Sequence, residues 1–226
     1  MGTAAVTLST IAGVLVGWFV IVRVVETIPE PSPLEPRARV AVAVVNGLLW
    51  LAVANKSELH RWWVAVVYFL VFSTLLAVSA VDLRVYRIPD RIVFPALGLT
   101  AVLMVVATFA IVRPYGDVLQ PLEYALVGMA TFFAILFVFH VIYPAGMGFG
   151  DVKLALLMGL SLGWVANGAG SAAYLVMIAL FIGSLVGIVF GLLVRVARGR
   201  GGAFPFGPAL AFGTVFVVLN FQNYLI

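Results

Sequence analysis

Apolar residues run along this chain in long blocks separated by short polar stretches. A window of about 20 apolar residues is enough to cross the hydrocarbon core of a bilayer as a helix. Eight such blocks lie near 4–25, 38–55, 62–82, 92–112, 120–143, 151–165, 170–196 and 207–225. Helices on the surface of a soluble bundle keep a polar face, and most of these blocks have none. The pattern therefore predicts an all-α fold, a polytopic membrane helix bundle of about eight transmembrane helices. The blocks fill most of the chain, so residues 1–226 are read as one membrane-embedded domain. The first block follows Met1-Gly2-Thr3-Ala4-Ala5, without a basic start, and no small-residue cleavage pattern follows it. It is expected to be a retained helix, not a cleaved signal peptide.

Composition agrees with that pattern. Hydrophobic residues make up 64% of the chain and charged residues 10%, with a mean hydropathy of +1.20. Soluble domains carry about a quarter charged residues. The basic residues also orient the bundle. Arg23, Arg37 and Arg39 fall in the first connection, Arg84, Arg87 and Arg91 in the third, Lys153 just after the fifth, and Arg195, Arg198 and Arg200 in the seventh. Only Lys56, Arg61 and Arg113 fall in the even connections. The positive-inside bias then puts the odd connections in the cytoplasm and both termini outside. The net charge of +4 follows from this bias and calls for no nucleic-acid partner.

The absence of cysteine excludes disulfides, thiolate zinc sites and a thiol nucleophile. His60 and His140 have no zinc-protease spacing, and no Gly-rich GK[ST] loop is present to hold a nucleotide. No cofactor is expected. His140 reads as a packed or interfacial side chain.

Two acids break the apolar pattern. Asp82 closes the block that begins at Trp62, and Asp151 opens the block that ends at Trp164. An ionisable group at the edge of a membrane span is costly to dehydrate and marks a functional site by default. After Asp82 come basic residues and then Pro89-Asp90. Pro89 favours an extended residue before it and a new helix after it, whose amides Asp90 can help satisfy. Before Asp151 stands Gly146-Met147-Gly148-Phe149-Gly150, a run that bends freely and admits another chain closely. Ala155, Gly159 and Gly163 continue from Asp151 as a ridge for close helix approach, and Gly183, Gly187 and Gly191 read as ordinary helix packing. Lys153 lies about 200° around the helix from Asp151, so it is expected to reach toward lipid headgroups. A third segment, Arg198 to Gly213, enters the last block through Pro205-Phe206-Gly207-Pro208. If Asp82 and Asp151 face each other in a partly dry site, both cannot ionise readily. One then polarises a peptide carbonyl while the other activates water. The pair titrates as a unit, so neither role is assigned.

In this order the three segments resemble the type IV prepilin peptidases, membrane aspartyl proteases of bacteria. The resemblance rests on Asp82 with Pro89 and Asp90, on Gly148, Gly150, Asp151 and Lys153, and on Pro205, Phe206, Gly207 and Pro208, and it covers residues 62–220. It implies that Asp82 and Asp151 are the catalytic pair. It also implies a prepilin or pseudopilin substrate whose short basic leader is cut at the cytoplasmic membrane face, commonly after Gly. The expected setting is the bacterial cytoplasmic membrane, with the lipid bilayer as the other partner. Many relatives also methylate the new N-terminus with a long cysteine-bearing domain after the first span. Residues 23–39 form a short loop there instead, with Pro29, Pro31, Pro33 and Pro36 and no cysteine, so peptidase activity alone is expected. Glu26, Glu30, Glu35 and Asp90 are available to attract a basic leader.

Two other readings compete. A presenilin or signal-peptide-peptidase-like protease also uses Gly-x-Gly-Asp and a Pro-Ala-Leu string, here Pro208-Ala209-Leu210, but with its acids on consecutive helices. A proton-coupled transporter would use Asp82 and Asp151 as relay groups, more naturally near the bilayer midplane.

Overall fold

A computed structural model describes residues 2–28, 33–56, 62–112, 119–144, 146–198 and 205–221. Pro29, Glu30, Pro31, His60, Arg61, Arg113 and Arg200 lie outside the described residues. Each expected block forms a helix: α1 (Thr3–Thr27), α2 (Pro36–Asn55), α3 (Trp62–Val85), α4 (Asp90–Val112), α5 (Gln120–Ile142), α6 (Phe149–Trp164), α7 (Ala169–Arg198) and α8 (Gly207–Asn220). Six of them, α1 to α5 and α7, are long and apolar enough to cross a membrane. The other two have 16 and 14 residues. At 1.5 Å per residue they span about 24 and 21 Å, short of a ~30 Å hydrocarbon core.

The shortness of α6 goes with its position at the centre. Every residue from Leu157 to Ala166 is buried, and other helices surround it. α5 crosses it at backbone contact. A methyl on Gly159 or Gly128 would overlap the other helix's backbone, and one on Gly163 would overlap the Tyr124 carbonyl. The small ridge below Asp151 thus does what its spacing predicts. Two buried hydrogen bonds hold the rest of the helix in place. Tyr68 Oη of α3 donates to the Ser161 carbonyl (2.7 Å), and Trp164 Nε1 donates to Thr108 Oγ1 of α4 (3.0 Å). Each satisfies polar groups within the apolar core at a net gain of about 1 kcal/mol, and orphaning one would cost more.

α1 packs on α2 through glycine in the same way. Gly13 and Gly17 face Trp50 and Ala43, and residues 17–21 form a π-helical turn. The buried Asn46 donates to the Gly13 carbonyl and accepts from Ser73 of α3, both at 2.8 Å. Gly183 and Gly187 of α7 lie against α8, as ordinary packing residues should. The connections after α3 and α5 and the entry to α8 gather at one end of the bundle, together with the end of α1.

Candidate active site

Asp82 stands in the last turn of α3, and its carbonyl accepts from the Tyr86 amide (2.8 Å). Tyr86 then takes a left-handed backbone conformation, φ 55°, which stops the helix and turns the chain back. For a residue other than Gly this costs roughly 1–2 kcal/mol. Ile88, forced toward extended backbone by Pro89, packs its Cβ where a methyl on Gly150 would sit, 2.8 Å away. Gly150 is therefore needed for close approach. Pro89 starts α4, and its carbonyl accepts the Ile92 and Val93 amides (3.0 and 3.2 Å).

Asp151 enters from the other side. Gly148 is the extended residue before α6, and the Asp151 amide donates to its carbonyl (3.1 Å). Asp151 is thus the third residue of the helix and no N-cap. His140 Nδ1 lies 2.8 Å from the Met147 carbonyl, which can only accept, and so steadies the glycine run from the end of α5. Its ring also meets Phe149, with centroids 5.4 Å apart.

The third motif closes the site. Phe206 caps α8 and rests its ring over Gly187. Pro208 sits in the first turn, where a missing amide costs nothing. Gly207 lies between them, with its backbone amide directed at the Asp82 carboxyl. A methyl on Gly207 would stand 2.9 Å from Asp82 Oδ2 and 3.6 Å from Asp151 Oδ1. The two oxygens are therefore separated by no more than the sum of those distances.

Asp82 and Asp151 are 5% and 7% exposed. Asp151 Oδ1 is buried without a hydrogen-bond partner among the described residues, an open acceptor beside a second acid. Both carboxyls border a cavity of about 850 Å³. Ile28, residues 86–91, the glycine run, Lys153, Pro205 and Phe206 complete its wall. Among the described residues no three His, Asp or Glu side chains converge on a point where a metal could sit.

The residues singled out in the three sequence segments thus come together, with one difference. Lys153 does not reach for headgroups: its Nζ holds Asp90 at 2.7 and 2.8 Å, near the rings of Phe149 and Phe94. Asp90 is engaged by that contact. Glu26 is likewise taken up, by Arg39 (2.8 Å) and the Leu34 amide (2.9 Å). Ile88, Tyr86 and Ile28 were not foreseen as site residues. Only Ile88 carried a signal, its place before Pro89.

The fold is a polytopic helical membrane bundle with two buried carboxyls on one cavity. The family model of the type IV leader peptidases matches residues 69–192, and the chain belongs to that family. Curated relatives named prepilin leader peptidase/N-methyltransferase agree. The protein of Burkholderia pseudomallei is 33% identical over 65% of this chain and 46% of its own length. That of Stutzerimonas stutzeri is 29% identical over 84% of this chain and 65% of its own, and that of Neisseria gonorrhoeae 26% over 75% and 53%. The chain thus spans about half to two thirds of the length of these relatives. No solved structure matches it.

Proposed function

We propose that this chain is an aspartic endopeptidase of the bacterial cytoplasmic membrane that removes the short basic leader of type IV prepilins or pseudopilins. The observation that carries this reading is the meeting of Asp82 and Asp151 over Gly207, at a cavity bordered by all three motif segments. Two carboxyls so close and so shielded from water share one proton. The ionised partner takes a proton from water as the oxygen attacks the scissile carbonyl. The protonated partner donates to the carbonyl oxygen, and the amine leaves with a proton from the pair. Helix backbone is closed to such attack, so the substrate segment is cut in extended form, for which the cavity has room.

The charge bias of the odd connections supports a cytoplasmic site, the side on which a basic leader stays. The short 23–39 connection and the lack of cysteine support peptidase activity without N-methylation. Co-expression with a prepilin precursor tests the reading. Wild type should shorten the precursor by its leader, while Asp82→Asn and Asp151→Asn fold but leave it intact. Cleavage by both Asn variants would sink the acid-pair mechanism. Proton or solute movement across vesicles without cleavage would favour the relay reading instead.

A further inference from the structure

We propose that Lys153 and Asp90 are a positioning pair that fastens the connector after α3 to α6 and so sets the separation of the two carboxyls. The inference rests on the reading that Asp82 and Asp151 do the chemistry. Lys153 Nζ bonds both Asp90 oxygens, at 2.7 and 2.8 Å, across 63 residues of chain. The ring centroids of Phe149 and Phe94 lie 5.2 and 5.9 Å from Nζ, within cation–π range. Both charges line the same cavity as the acid pair, but they bond each other and not the two carboxyls. Lys153 is on the opposite face of α6 from Asp151, and Asp90 begins α4.

The connectivity gives the pair its leverage. Along the chain Asp82 is joined to Asp90 by the connector, whose joint at Tyr86 is a left-handed residue with no steric preference for that state. α3 and α4 also pack directly on each other. Asp151 and Lys153 share one rigid helix. The ion pair therefore closes a ring that runs from Asp82 through the connector to Asp90, across to Lys153, and along α6 to Asp151. Inside that ring Ile88 bears on Gly150, and its Cδ1 would meet a methyl on Gly207 at 3.2 Å. Opening the ring removes the charge clamp at this end of α4, leaving the Ile88 contact here and the Trp164–Thr108 bond toward the far end of α4. A partly exposed ion pair adds little to stability; this one acts on geometry.

The test uses the full chain in nanodiscs with a prepilin peptide, comparing Asp90→Lys, Lys153→Glu and the two together. Each reversal should lower kcat about tenfold with KM little changed, and the swap should return it to within about threefold of wild type. A swap no better than the single variants overturns the proposal. So does a loss confined to KM that vanishes when the leader's basic residues are neutralised, since Asp90 would then be docking substrate. Amide exchange provides a readout without catalysis. The Tyr86 and Asp151 amides should exchange faster in each single variant and recover in the swap. Unchanged exchange in the single variants overturns the pairing role even if the peptidase reading stands. Faster exchange with recovery, in a chain that cleaves nothing, would leave the pairing intact and remove the peptidase reading.

Discussion

Replacing Gly207 by Ala should separate activity from folding. Gly207 is in the first turn of α8 with ordinary helical backbone, so Ala fits the conformation. The added methyl would stand 2.9 Å from Asp82 Oδ2, closer than a real side-chain carbon approaches such an atom. Ordinary contact begins near 3.4 Å, so the carboxyl must retreat by about half an ångström. It can do so by rotation at small cost, and helix propensity returns about 0.5–1 kcal/mol for Gly to Ala. Catalytic groups, however, must be held to within about 0.5 Å, and a 1 Å error costs about a hundredfold. We expect kcat to fall about tenfold or more while the melting temperature in detergent stays within about 4 °C, equivalent to under ~1 kcal/mol. Gly98→Ala, a methyl in open space on α4, is the control and should leave the rate unchanged. Leader removal followed by mass spectrometry gives the rates. A folded Gly207→Ala enzyme with wild-type kcat would refute the placement of both carboxyls against this glycine.

Gly163→Ala should do the reverse, forcing α5 off α6 where Tyr124 and Ala125 touch, at about 1–3 kcal/mol of overpacking seen as a lower melting temperature. An unchanged melt would contradict the backbone contact. Tyr86→Val should destabilise relative to Tyr86→Gly by about 1–2 kcal/mol, because a β-branched residue resists φ 55°; equal melting of the two would show the joint is not left-handed. Cleavage should decline as alkaline pH removes the last proton shared by Asp82 and Asp151, and a flat rate from acid to strongly basic pH would count against the pair.

Much of this fold was legible because lipid-facing helices need a nearly unbroken apolar surface, so the eight blocks became eight helices among the described residues, with ends shifted by a few positions. The ridge of Ala155, Gly159 and Gly163 was legible for a similar reason: close backbone approach permits only small residues at four-residue spacing. The angular position of Lys153, away from Asp151, was also readable from helix geometry. Its partner was not, since nothing local links it to an acid 63 residues earlier. The meeting of Asp82 with Asp151 followed only from the family resemblance, since no local pattern joins residues with α4 and α5 between them. The left-handed turn at Tyr86 had no Gly or Asn to announce it.

The length of α6 bears on how water reaches the cavity at Asp82 and Asp151. A short helix exposed to lipid would draw the bilayer thinner around it, through hydrophobic mismatch. α6 is wrapped by its neighbours, so its missing length of about 6 Å against the hydrocarbon core is not imposed on lipid. Its neighbours α3, α4, α5 and α7 are each long and apolar enough to cross the core, so α6 need not set the bilayer's thickness. The cavity at the Asp151 end of α6 is thereby compatible with a bilayer of ordinary thickness, and under the proposed reaction its water enters by that cavity and not through lipid.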